Sequence, residues 1–207
     1  MKFTDFAPYI RPEVQGCPDF LLERAVRDAA IDFCRRTDIY VAEPEFIQLV
    51  AGVSEYSVSI PSGTELNHIV DIYNNNTALK PVSYTELVRR LGNESSTGTP
   101  KFYAQRDNVE FYVAPIPAAA ISVRVLYSLK PTASSRSIPD TIGKEYREVI
   151  SHGALYRLQF MAGQPFSNPS FGAVNRDLYE KEVGRTTRQV KYGFSGGSLT
   201  VKPREFI

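Results

Sequence analysis

Apolar residues change their spacing twice along this chain. The changes divide it into a helix, a β-rich middle, two further helices and a tail. Leu22, Ala25, Val26, Ala29, Ala30, Phe33 and Cys34 recur at helical spacing. Glu23, Arg24, Arg27, Asp28, Asp32, Arg35 and Arg36 fill the opposite face. The pattern predicts an amphipathic helix over about 18–37, with Pro18 suited to its first turn. Small Ala29 and Ala30 permit close approach of a neighbouring helix. Residues 1–16, with Pro8 and Pro12, read as an irregular arm.

The spacing then shortens. Phe46 to Val53 is apolar and β-branched, and Glu55 to Ile60 alternates until Pro61-Ser62-Gly63 stops it. Leu66 to Tyr73 reads as a strand, turning at Asn74-Asn75-Asn76 into Thr77-Ala78-Leu79. Ser83-Tyr84-Thr85-Glu86 matches a capping box and predicts a short helix that stops near Gly92. Lys101 to Gln105 and Val109 to Val113 predict a hairpin, and Ile121 to Leu129 a last strand. Roughly seven short strands close in sequence point to an antiparallel sandwich or a small barrel.

Helical spacing returns after a Ser/Pro-rich linker at Pro131 to Pro139. Ile142, Tyr146, Val149, Ile150, Ala154 and Met161 predict one helix over about 140–163. Asn168-Pro169 starts another, running to about 191, with Asn168 as cap. Its apolar stripe is Phe171, Val174 and Leu178. The expected fold class is α+β: a helical bundle with an inserted antiparallel β module and an extended C-terminal tail. The boundaries are 1–44 for the arm and first bundle helix, 45–131 for the module, 132–192 for the later helices and 193–207 for the tail. Helix faces far apart in sequence cover one another. The bundle-packing set is Leu22, Val26, Ala29, Phe33, Tyr146, Val149 and Ile150.

Composition narrows the function classes. The 207 residues carry 24 basic and 23 acidic side chains, a net charge of +1. No whole-chain drive toward nucleic acid or anionic membrane follows. The start lacks a long apolar core, so no secretory signal is read there. The uncharged stretch 111–123 is interrupted by Pro115 and Pro117 and is too short to span a bilayer. A soluble protein made in a cytosol, with no membrane association, is expected. Cys17 and Cys34 at opposite ends of one helix would lie roughly 25 Å apart. That distance excludes an intrachain disulfide.

Candidate chemistry is thin. Gly193-Phe194-Ser195-Gly196-Gly197 fits the nucleophile-elbow string. That elbow needs a strand before its serine, a helix after it, and an acid and a histidine later in the chain. Here His68 and His152 both come earlier. Neither histidine has ligand-spaced neighbours, and no phosphate-binding glycine loop or dinucleotide fingerprint is present. Glu43 and Glu45 flank Pro44 and read as solvated carboxylates. No catalytic residue, metal or cofactor is expected. Basic residues gather late, with Arg185, Arg188 and Lys191 on one helix. They are a solvated face, a contact for an acidic protein partner, or a lining for nucleic acid. The tail, with Leu199, Val201, Lys202, Arg204, Phe206 and Ile207, is either a disordered terminus or a segment that orders on another subunit.

Phe6-Ala7-Pro8-Tyr9-Ile10-Arg11-Pro12-Glu13-Val14-Gln15-Gly16-Cys17-Pro18 resembles the start of tailed-bacteriophage head-to-tail adaptor proteins, of the tail-tubular-protein-A-like, podovirus-type kind. The helix from Ala25 to Thr37 is similar to theirs. So are Glu55 to Pro61, Leu79 to Leu87 and Val113 to Pro117, which look like that family's inserted β module. The resemblance implies a structural virion protein forming a homo-oligomeric ring, usually of about twelve copies, beneath the portal protein. Such a ring extends the channel through which genomic DNA passes and presents a platform to a tail or nozzle protein. It also implies that a C-terminal segment grips the portal, which nominates Leu199, Val201, Lys202, Arg204, Phe206 and Ile207. Arg185, Arg188 and Lys191 then become channel or partner contacts. A rival reading is a tail or baseplate accessory that binds carbohydrate or peptide. It needs an exposed aromatic platform, for which Tyr73, Tyr84, Tyr103 and Tyr112 are available.

Overall fold

The computed structural model describes residues 1–93, 97–107 and 109–193. Its fold is α+β, with the β-rich part inserted between the first long helix and the last two.

The arm is the first departure from expectation. It coils through short helical turns at Phe3–Phe6 and Arg11–Glu13 flanking helix α1 (Ala7–Ile10). Pro8 and Pro12 occupy opening positions of these pieces, where a missing N–H costs nothing. Phe3, Phe6, Ile10 and Val14 therefore fall on one side and are fully buried. The prolines divide the helix without preventing it, and the arm becomes part of the core. Helix α2 (Asp19–Thr37) follows. Pro18 stands just before it, in extended backbone, rather than inside its first turn. Cys17 and Cys34 are both free and buried.

Among the described residues ten strands form the insertion: β1 (Glu45–Leu49), β2 (Glu55–Ser57), β3 (Thr64–Asn74), β4 (Thr77–Ala78), β5 (Lys80–Pro81), β6 (Thr97–Gly98), β7 (Phe102–Gln105), β8 (Glu110–Ala114), β9 (Ile116–Pro117) and β10 (Ile121–Pro131). Helix α3 (Tyr84–Asn93) lies between β5 and β6, with the Ser83 hydroxyl accepting from the Glu86 N–H at 3.2 Å. One four-stranded sheet has the order β1-β10-β3-β4 and a second β2-β8-β7-β5, while β6 and β9 form a separate pair. Leu49, Leu66, Ile72, Phe111, Val113 and Val125 meet between them. The main ladders are antiparallel, as expected, and two short pairings run the other way. β5 pairs with β7, and β6 with β9, in parallel. Two-residue strands such as these carry too little pattern to reveal their direction.

The last helices are α4 (Asp140–Glu145), α5 (Arg147–Gln159) and α6 (Pro169–Tyr192). Sequence spacing predicts α4 and α5 as one helix. The backbone breaks at Tyr146 (φ −104°, ψ 23°), where the ring packs against Phe33 at 5.1 Å between centroids. The helix also ends at Gln159, short of Gly163. Leu22, Val26, Ala29, Phe33, Tyr146, Val149 and Ile150 all lie in the helical core. Gly153 sets the helix spacing. A Cβ there would stand 2.8 Å from the Tyr179 ring and 2.9 Å from the Ala29 methyl.

A further correction concerns α6. Asn168 caps it, accepting from the Phe171 N–H. The face that packs is Gly172, Asn175, Tyr179, Val183 and Thr186. The predicted stripe points outward: Phe171 is 59% exposed, Val174 56% and Leu178 39%. Close approach decides the matter. Gly153 of α5 admits the Tyr179 ring, while Gly172 lies in ordinary contact with Gln159 and Phe160. Helix spacing alone cannot report that fit.

Candidate functional site

Where α2 meets the β module, side chains from three elements converge. Asp38 ends α2 in the left-handed region (φ 55°), its N–H returning to the Cys34 carbonyl. Its carboxylate accepts from Asn67 Nδ2 at 2.7 Å and from the Ser128 hydroxyl at 2.7 Å, and lies 2.8 Å from His68 Nδ1. Burial pushes the Asp38 carboxyl up, but hydrogen bonds from His68, Ser128 and Asn67 outweigh that and hold it below its ordinary value. Beside it the chain adds a short ladder to β10: Leu129 N–H donates to Tyr40 O, and Ala42 N–H to Tyr127 O. The cluster fastens bundle to module. Sequence reading missed it, because residues about 30 and 90 positions from Asp38 leave no local signal.

Ser128, His68 and Asp38 are the residue types of a hydrolase triad, so the geometry has to be tested. In a triad the acid holds one ring nitrogen and the serine meets the other. Here Asp38 and Ser128 both approach the same atom, His68 Nδ1, at 2.8 and 3.3 Å. The serine hydroxyl is moreover spent on the aspartate itself. The histidine does not stand between acid and serine as a relay, and the constellation is a joint. The elbow string fares no better: α6, a helix, precedes it where a strand is required, and Ser195 lies outside the described residues. Among the described residues no group of three His, Cys, Asp or Glu could hold a metal ion. Glu45, expected to be solvated, accepts from the Ser59 N–H at 2.8 Å and so ties two segments of the module together.

Within the bundle, polar groups lock α2 to α5 and α6. Tyr179 is fully buried and donates to Asp32 Oδ2 at 2.9 Å. Burial and the neighbouring Asp32 push its hydroxyl far up, so it stays a neutral donor. Arg36 grips Glu180 with both guanidinium arms, and this pairing lowers the Glu180 carboxyl. His152 is half-buried, its Nδ1 2.7 Å from Asn175 Oδ1, and Asn175 donates to Gln159 at 2.9 Å. Such contacts fix a helix arrangement and offer nothing to a substrate.

What remains for function is the outer surface. Phe171, Val174 and Leu178 run along α6, and Arg185, Arg188 and Lys191 stand beyond them on the same helix. Arg185 is 3.6 Å from Glu182. The six tail residues Leu199, Val201, Lys202, Arg204, Phe206 and Ile207 lie outside the described residues. The tyrosines nominated for a binding platform do not make one. Tyr103 and Tyr112 are buried, Tyr84 packs edge-on against Tyr112 at 5.1 Å, and Arg124 covers Tyr73. Among the described residues no helix is long and apolar enough to cross a membrane.

Comparison with known proteins agrees with this surface-borne reading. No curated protein matches the chain. The family described as SU10 adaptor protein matches residues 1–199, nearly the whole length. That is a structural class of phage protein and not an enzyme class. The resemblance seen in scattered segments thus extends through both the bundle and the module: the chain belongs to the SU10 adaptor protein family, a family of phage head-to-tail adaptors.

Proposed function

We propose that this protein sits at the head-to-tail interface of the virion, forms a ring on the portal, continues the DNA channel and receives the tail. Beyond family membership, one structural observation carries the reading. Among the described residues nothing covers the apolar row Phe171, Val174 and Leu178, three neighbouring positions on one face of α6. Uncovered apolar rows of this kind are what subunit contacts cover. The chemistry found inside the molecule is spent on fastening it, which suits a part that transmits load.

Residues 193–207 are the proposed portal grip, with Leu199, Val201, Phe206 and Ile207 supplying apolar contact and Lys202 and Arg204 charge. Arg185, Arg188 and Lys191 are proposed to meet an acidic portal surface or to line the channel, where DNA passes without sequence recognition. Electron microscopy of the full chain mixed with the portal of the same phage tests the whole reading. A ring stacked coaxially on the portal is expected, and a protein that stays monomeric and ignores the portal overturns it. Deleting 193–207 should abolish attachment while the fold survives, and attachment retained by the shortened chain sinks the tail assignment.

A further inference from the structure

Two surfaces on different sides of the bundle are complementary in shape class and in charge. The first is built on α2. Phe20, Arg24 and Arg27 lie on the helix face opposite the buried Leu22, Val26 and Phe33, as their spacing requires. Lys2 and Arg136 join them around one concavity, which Phe20 overhangs at 69% exposure. Four cations thus face one acid, Glu23. Arg24 stands 3.7 Å from Asp28. Among the described residues, Lys2, Arg27 and Arg136 have no carboxylate within salt-bridge distance, and the buried Arg27 Nε has no hydrogen-bond partner.

The second surface is the groove between α5 and α6, to which α2 contributes no lining residue. Leu178 and Val149 form its apolar floor, and Glu145, Glu148 and Glu182 rim it. Its other charged or titratable groups are Tyr146, whose ring is buried against Phe33, Arg185, which is engaged by Glu182, and His152, which is engaged by Asn175. Among the described residues, Glu145 and Glu148 have no cation within salt-bridge distance. Leu178 continues directly into the exposed row Val174 and Phe171.

We infer that the α2 face of one copy docks into the α5–α6 groove of the next, with Phe20 against Leu178 and the Lys2, Arg24, Arg27 and Arg136 cluster against Glu145 and Glu148. This rests on the ring reading and deepens it by naming both halves of the contact. The occupant of each surface is a second copy of this chain. An aromatic knob beside Lys2, Arg27 and Arg136, which are unpaired among the described residues, fits an apolar floor beside Glu145 and Glu148, which are likewise unpaired among them. Because the two surfaces are different and face different ways, the contact is head-to-tail, the type that closes into rings. Charge at the rim selects the partner and the register, while the apolar centre supplies the burial.

Charge reversal on the full chain tests it, with assembly on the portal followed by microscopy and self-association by analytical ultracentrifugation. R24E/R136E and E145R/E148R should each weaken self-association at least tenfold, with circular dichroism unchanged. All four changes in one chain should restore it. Mixing the two double variants should likewise restore assembly, with the two kinds of chain alternating, since each surface of one then meets an oppositely charged surface of the other. Reversed variants that assemble like the unmodified chain, or a fourfold variant that stays dissociated, overturn the inference. So does an R24E/R136E chain that loses only duplex-DNA binding, which would assign the basic face to nucleic acid. If the unmodified chain forms no ring even on its portal, the ring reading itself fails. If it forms one and the variants do too, only this contact is wrong.

Discussion

Gly153 offers a sharp test of the bundle, because two opposed effects can be separated with a second glycine. At Gly153 an alanine methyl would stand 2.8 Å from Tyr179 Cε2 and 2.9 Å from the Ala29 Cβ. Neither neighbour yields easily. Ala29 is fixed by its own helix, and Tyr179 is held at its far end by Asp32. Overpacking of this kind costs about 1–3 kcal/mol. Alanine's better helix propensity returns about 0.8–1 kcal/mol. With two contacts to relieve, the clash wins, and Gly153→Ala should lose about 1–2 kcal/mol. For a chain of this size that lowers Tm by roughly 3–7 °C. Gly184 is the control. It lies inside α6, and a methyl added there would meet no atom within 4 Å, so Gly184→Ala should gain about 0.5–1 kcal/mol. Thermal and urea unfolding followed by circular dichroism reads both. A Gly153→Ala chain as stable as the Gly184→Ala chain would refute the packing argument, whatever the absolute values.

The Asp38 joint should show in acid. Its folded carboxyl sits below the ordinary 3.8, so its contribution is complete above that value and is lost as pH falls through the folded one. Asn tolerates the left-handed backbone at this site. Asp38→Asn should therefore cost about 1–2 kcal/mol at neutral pH and flatten the acid limb of the stability profile; an unchanged acid limb counts against the joint. Cys34 is pushed up to about 12 by burial and Cys17 is also raised. Neither should react with a thiol reagent at about pH 8 until urea is added, and prompt labelling of the native protein contradicts the burial. Val174→Glu changes an exposed position, so monomer stability should move by less than about 0.5 kcal/mol. A large loss of Tm there would mean that the α6 row packs internally.

The sequence by itself determined the order of elements and most of their kinds. A 3.6-residue stripe with charges on the opposite face is a local signal, so α2 was readable from Leu22 to Cys34, and a capping serine placed α3. The β7–β8 hairpin followed from two short runs around a turn. Family resemblance was legible too, because it rests on local strings. Tertiary structure decided what local strings cannot carry. It placed the proline-divided arm in the core, since Phe3, Phe6, Ile10 and Val14 align only once three short turns are stacked. It chose the face of α6, since the winning face holds a tyrosine whose ring fits over Gly153 of α5, which matters through fit rather than through hydropathy. It made the Asp38 joint from residues distant in the chain. It left the α6 apolar row outside and set unpaired cations and unpaired carboxylates on different sides of one bundle. Helix periodicity tells which residues share a face; only packing against the other helices tells which face is covered and which is left for another molecule.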